Sequence, residues 1–129
     1  PLKTAQSPTP LQTMLDDLSE CKTSPDYDTN YQQPTSYAVT RTQNLLQDSS
    51  AILGNDLPLG TLLPDGNGGI RIEWIRSVRE LSVMVPAKAD GKEYLYHEED
   101  TDYKVEHNLT PHSLAQWLRW LESDTPKEK

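Results

Sequence analysis

The stretch "PDGNGGIRIEW", residues 64–74, decides how this chain is read. Its first six residues are turn formers, and its last five alternate apolar and polar as a half-buried strand does. A calcium loop would continue its oxygen ligands at alternate positions and close on a carboxylate at position twelve. Here Asp65 and Asn67 are followed by Gly69, and the twelfth position is Arg76. A phosphate-cradling loop would run into a helix carrying a Lys and a hydroxyl, whereas "IRIEW" follows. The glycines therefore supply positive-φ turn positions ahead of a strand.

From that strand a sheet can be built outward. Ile70, Ile72 and Trp74 share one face, and Leu81, Val83 and Val85 share one face of the next candidate strand, "RELSVMVP" (79–86). A hairpin around Arg76 and Ser77 whose opposed residue numbers sum to an odd value puts both apolar sets on one side. The tightest version, with a two-residue loop, has the drawback of setting Glu73 opposite Glu80. "ADGK" (89–92) signals a second turn into "EYLYHE" (93–98), and the acidic turn "EDTD" (99–102) leads to "DYKVEHN" (102–108).

Helical signals flank these strands. "TSYAVTRTQNLLQDSSAILG" (35–54) offers Thr35 or Ser36 as cap and an apolar face through Ala38, Leu45, Ile52 and Leu53, with Gly54 as its stop. "LTPHSLAQWLRWLES" (109–123) has Thr110 as cap, Pro111 at the first helical position, and a stripe of Leu114, Trp117, Leu118 and Leu121. Trp120 falls off the centre of that stripe, as the edge of the core or as an exposed anchor for a partner. The expected fold is α+β: a four-stranded antiparallel meander covered on one face by an N-terminal helix and a C-terminal helix.

Residues 1–34 hold five of the ten prolines and read as a poorly ordered arm ahead of a single α+β domain over 35–122, with 123–129 as a flexible tail. One island in the arm, "TPLQTMLDDLSEC" (9–21), sets Leu11, Met14, Leu15 and Leu18 on one helical face. A helix this short is marginal alone and must dock, in cis on its own domain or in trans on a partner or a second copy, so a homodimer stays open.

Twelve Lys and Arg against twenty Asp and Glu give a net charge of −8, which suits a basic protein partner better than nucleic acid or an anionic membrane. No apolar run approaches the length of a membrane span, and the first residues lack the layout of a signal peptide, so a cytoplasmic protein is expected. The one cysteine, Cys21, precludes an intrachain disulfide and has no evident base to activate it. His97, His107 and His112 lack metal-ligand spacing, and no nucleophile elbow presents a serine. Arg71, Arg76 and Arg79 cluster around Trp74 as the one basic spot with an aromatic, but stacking platforms for single strands carry several aromatics in a broad positive groove. No catalytic residue, cofactor or metal is assigned.

The string "LLPDGNGGIRIEW", followed by "RELSVMVP", "EYLYHEE" and "LAQWLRWL", resembles a loose family of small uncharacterised bacterial proteins with a Pro-Asp-Gly-Gly turn and an Ile/Leu-Glu-Trp strand. The resemblance covers about residues 58–121 and implies a bacterial helix-plus-sheet domain; it carries over no functional residue. The functional expectation is a non-enzymatic interaction domain. Its concrete version is an acidic inhibitor of the antitoxin or immunity type, and a secretion chaperone or assembly accessory would have the same composition. The candidate partner-binding residues are Glu98, Glu99, Asp100 and Asp102 on the turn between the third and fourth predicted strands, Trp120 on the last helix, and Leu11, Met14, Leu15 and Leu18 in the arm. The rival class is a small-molecule-binding or enzymatic domain with its pocket between sheet and helices.

Overall fold

The computed structural model describes residues 9–23 and 32–123. Residues 1–8 and 24–31 of the expected arm, and the tail beyond Ser123, lie outside these residues. In chain order the elements are α1 (Pro10–Thr23), α2 (Ser36–Ile52), β1 (Thr61–Pro64), β2 (Ile70–Ile75), β3 (Arg79–Val85), β4 (Tyr94–Glu99), β5 (Asp102–Glu106) and α3 (Pro111–Glu122). The strands form one antiparallel sheet in sequence order. The α+β meander is as expected, but the described residues form five strands rather than four, and three helices rather than two.

The added strand is β1. It is short, it ends in Pro64, and it lies at the sheet edge, where a residue without an N–H is tolerated. The turn read from the sequence is thus the loop of the β1–β2 hairpin. Asp65 Oδ1 accepts from the N–H groups of Asn67 (2.7 Å) and Gly69 (2.9 Å), while Gly66 and Gly68 adopt φ of 82° and 93°. The loop is also tied to the chain before α2, because the Thr35 N–H donates to Gly68 O (3.0 Å). Thr35 caps α2 by accepting from the Ala38 N–H (3.0 Å), and its own hydroxyl donates to Ala87 O (2.6 Å). At Gly68 a Cβ would meet that of Ala87 at 2.9 Å, so this junction has no room for a side chain.

The β2–β3 register corrects the two-residue loop. Trp74 faces Leu81 and Ile75 faces Glu80, and a four-residue turn closes with the Arg76 N–H on Arg79 O (2.8 Å). The opposed numbers still sum to an odd value. Ile70, Ile72, Trp74, Leu81, Val83 and Val85 therefore all face the core, while Glu73 faces Ser82 rather than Glu80.

All three helices cover that apolar face. From α1 come Met14 and Leu18, from α2 Leu45 and Leu46, and from α3 Leu114, Leu118 and Leu121. The helix expected in the arm is thus docked on its own chain, against α2 and β1. Met14 is fully buried, and its Sδ accepts from the Gly60 N–H at 3.4 Å. Cys21 is buried nearby; burial, then the charges of Asp17 and Glu20, push its thiol pKa up, away from nucleophilic use. Arg41 joins α2 to the rest by a bidentate pair with Glu93 (2.7 and 3.0 Å) and a bond to Leu109 O (3.1 Å). A reciprocal pair of bonds between Thr110 and Ser113 caps the start of α3. No described helix is long and apolar enough to cross a membrane.

Candidate functional site: the open face of the sheet

Strand alternation sends every second side chain to the face away from the helices, and none of the described helices covers it. The registers arrange this open face in three rows. One runs Leu63, Arg71, Met84 and Tyr94; the next Thr61, Glu73, Ser82, Tyr96 and Val105; the third Ile75, Glu80, Glu98 and Tyr103. A solvated sheet face normally carries polar residues at these places. Here Ile75 is 60% exposed, Tyr103 65%, Val105 41% and Leu63 36%. Tyrosine and methionine are enriched where proteins meet, tyrosine because it gives a large contact area with few rotatable bonds and methionine because it adapts to the surface it meets.

Carboxylates run through the middle of the face. Glu80 and Glu98 are directly opposed across β3 and β4, an unfavourable like-charge pair. Glu73 pairs with Arg71 (3.1 Å), the one cation in these rows. The Tyr96 hydroxyl donates to Glu98, and that bond, with burial and the neighbouring carboxylates adding to it, pushes the phenol pKa up to about 12. The Tyr96 and Tyr103 rings lie 5.7 Å apart. Ser82 is the smallest side chain of the central row. Around it lies a cleft of about 290 Å³ walled by Arg71, Glu73, Glu80, Met84, Tyr94 and Tyr96.

The predicted partner-binding residues are not brought together. Of the four turn acids, Glu98 lies on the open face. Glu99 turns to the helix side, 3.5 Å from Arg79 Nε at a geometry that leaves that N–H without a hydrogen bond among the described residues. Asp100 occupies the turn itself, with φ 57° and its N–H on Val78 O (2.9 Å). Asp102, exposed, begins β5 opposite Glu99. Leu11, Met14, Leu15 and Leu18 face the chain's own core.

Trp120 belongs to a second cluster on the helix side, half-buried like Trp117. Trp117 stacks on His97 at 3.7 Å, Trp120 meets both rings edge-on, and the Arg79 guanidinium lies 5.1 Å from the Trp120 ring. Arg79 also donates to the carbonyls of Trp120 and Ser123, placing a cation at the negative end of α3. His97 Nε2 sits 2.9 Å from Glu106 Oε2. The basic spot expected around Trp74 does not form: Arg71 faces outward, Arg76 pairs with Glu122 through Nε at 3.0 Å, and Arg79 lies under α3. Strand alternation separates the first from the third, and the turn takes the second.

Between sheet and helices, where a small-molecule pocket was the rival expectation, Met14, Leu45, Leu46, Trp74, Leu114 and Leu118 fill the space. Among the described residues no group of three or more His, Cys, Asp or Glu is placed to hold a metal ion. The free edge of β5 carries Lys104 at its centre, a charge that discourages addition of a further strand. The open face escaped the sequence reading, although its signal is present as the polar-face partners of the apolar sets: Met84, Tyr94, Tyr96 and Tyr103 stand at positions where charged residues would be ordinary. Compared with protein-family models, with curated proteins and with solved structures, the chain has no match, so the open face is interpreted from its own geometry.

Proposed function

We propose that this domain binds another protein, a basic one, through the open face of its sheet, in the manner of an acidic antitoxin or immunity-type inhibitor. The observation that carries the reading is the composition of that face: tyrosines, methionine and exposed aliphatics, threaded by three carboxylates with one arginine. Apolar and aromatic groups supply the desolvated centre of such an interface, and surplus negative charge speeds the encounter with a basic surface. The net charge of −8 acts in the same direction at longer range.

The natural partner to test is a basic protein encoded beside this one. Its dissociation constant would be measured by calorimetry for the native chain, for Tyr103→Ala and Ile75→Ala on the open face, and for Gln116→Ala on the exposed side of α3. Anchors of this kind cost more than about 1 kcal/mol on truncation, or at least about fivefold in affinity. Weakening by the open-face variants alone is expected; equal affinity for all four chains would refute the reading.

A further inference from the structure

The cleft at the centre of the open face carries more than surplus charge. Ser82, at its floor, is only 8% exposed, yet its hydroxyl has no hydrogen-bond partner among the described residues. Shielded from most of the solvent and without a protein partner, that hydroxyl is free to accept from a bound polar group. Beside it, one row away on the same strand, Glu80 makes no ion pair among the described residues and faces Glu98, a second carboxylate. On the other flank stand the rings of Tyr94 and Tyr96. An unmet acceptor, an uncompensated carboxylate pair and aromatic walls together describe a receptor for a planar cation.

We infer that the cleft between Glu73, Glu80, Tyr94 and Tyr96 takes an arginine side chain of the partner, its guanidinium donating to Glu80 and to Ser82 Oγ and lying against a tyrosine ring. The inference rests on the open-face reading above and names the chemistry recognised there. A guanidinium fits better than an ammonium for two reasons. It is flat, so it stacks on an aromatic wall, and its forked donors reach a carboxylate and a neighbouring hydroxyl at once. It is also the more weakly hydrated cation, which suits a partly enclosed site. The Arg71 guanidinium, held by Glu73 at the rim, leaves Glu80 and Glu98 as the negative charge to be met.

Three peptides serve as probes in an amide chemical-shift titration of the whole chain: acetyl-Leu-Arg-Leu-amide and its citrulline and lysine counterparts. The arginine peptide is expected to shift the amides of Ser82, Tyr94 and Tyr96, and to bind roughly tenfold more tightly than the citrulline peptide, which keeps the shape without the charge. Glu80→Gln, with native peak dispersion as the check on folding, should abolish the difference, and Ser82→Val should weaken the arginine peptide by filling the floor. Citrulline or lysine binding as tightly as arginine would overturn the guanidinium assignment while leaving the open face as a docking surface. Shifts that avoid the cleft altogether would overturn it too; the separate partner measurements with Tyr103→Ala and Ile75→Ala would then show whether the face still binds.

Discussion

Trp74 and Gly60 form one packed unit, and their coupling can be measured. Trp74 is 1% exposed and donates its indole N–H to Pro58 O at 2.9 Å. Gly60 lies against the ring: a Cβ there would come within 2.7 Å of Trp74 Cε2 and Nε1, and 3.0 Å from Glu73 O. Trp74→Ala loses about 3–5 kcal/mol of packing and leaves the Pro58 carbonyl without its donor, at about 1–3 kcal/mol more. Set against a total stability of about 5–15 kcal/mol, that is enough to leave the domain near its unfolding threshold. Gly60→Ala forces the ring or the strand to move, at about 1–3 kcal/mol. Trp74→Leu keeps apolar volume and removes the ring edge, so Gly60→Ala should cost less in that background. A coupling of about 1–2 kcal/mol is expected, since the contact with Glu73 O remains. Urea unfolding of the native chain, both single variants and the double variant, followed by far-UV circular dichroism, closes the cycle. Additivity within about 0.5 kcal/mol would refute the claim that the glycine is there for the indole.

Three further outcomes follow from the same contacts. Met14→Ala should destabilise the whole domain by about 2–5 kcal/mol, and amides in α1 should exchange slowly; rapid exchange throughout residues 10–20 at native concentration would show that α1 is not docked. Thr42→Val should raise stability by about 1 kcal/mol, because the Thr42 hydroxyl is buried without a partner among the described residues; a loss measured by urea unfolding would mean that it has one. Tyr96 should titrate near pH 12 in spectra of ring-labelled tyrosine and return toward 10 in Glu98→Gln. Because its folded pKa is the higher, the Tyr96 contribution to stability is complete below pH 10 and is lost as pH rises toward 12; a Tyr96 midpoint near 10 in the native chain would refute the hydrogen bond.

What was legible in the sequence is what periodicity encodes. Ile70, Ile72 and Trp74 against Leu81, Val83 and Val85 gave the central hairpin, because a period of two with one buried face leaves little choice of side. Thr35 and Thr110 marked helix starts for a local reason, the side-chain bond to an N–H three residues on. β1 was not legible: "GTLLP" is too short for a periodic signal, is bounded by Pro58 and Pro64, and becomes a strand only because β2 pairs with it and Trp74 packs on Gly60. Of the two tryptophans of α3, Trp120 stands at the edge of the core, one of its two expected places, and Trp117 departs from the burial expected of its stripe. Trp117 sits on the apolar stripe, but at that level of the sheet the neighbour is His97 rather than an aliphatic side chain, and it stays half-buried with Trp120.

The turn acids show why composition alone misplaces a site. Glu98, Glu99, Asp100 and Asp102 are close in sequence, and a run of carboxylates invites treatment as one electrostatic unit. Alternation along a strand sends Glu98 and Glu99 to opposite faces, and the reversal at Asp100 makes that residue a backbone element first. Arg79 then claims part of the charge on the helix side. What remains on the open face is Glu98, and it gains company from Glu73 on β2 and Glu80 on β3, some eighteen and more residues earlier in the chain. The acidic patch of the fold is thus assembled across three strands by register, at the row where Ser82 leaves a gap between Glu73 and Tyr96. A shift of the β2–β3 pairing by two residues would preserve every buried apolar contact class yet return Glu73 to face Glu80, crowding the carboxylates and closing the gap. The turn that sets this register, Arg76 to Arg79, therefore shapes the open face as directly as the residues standing on it.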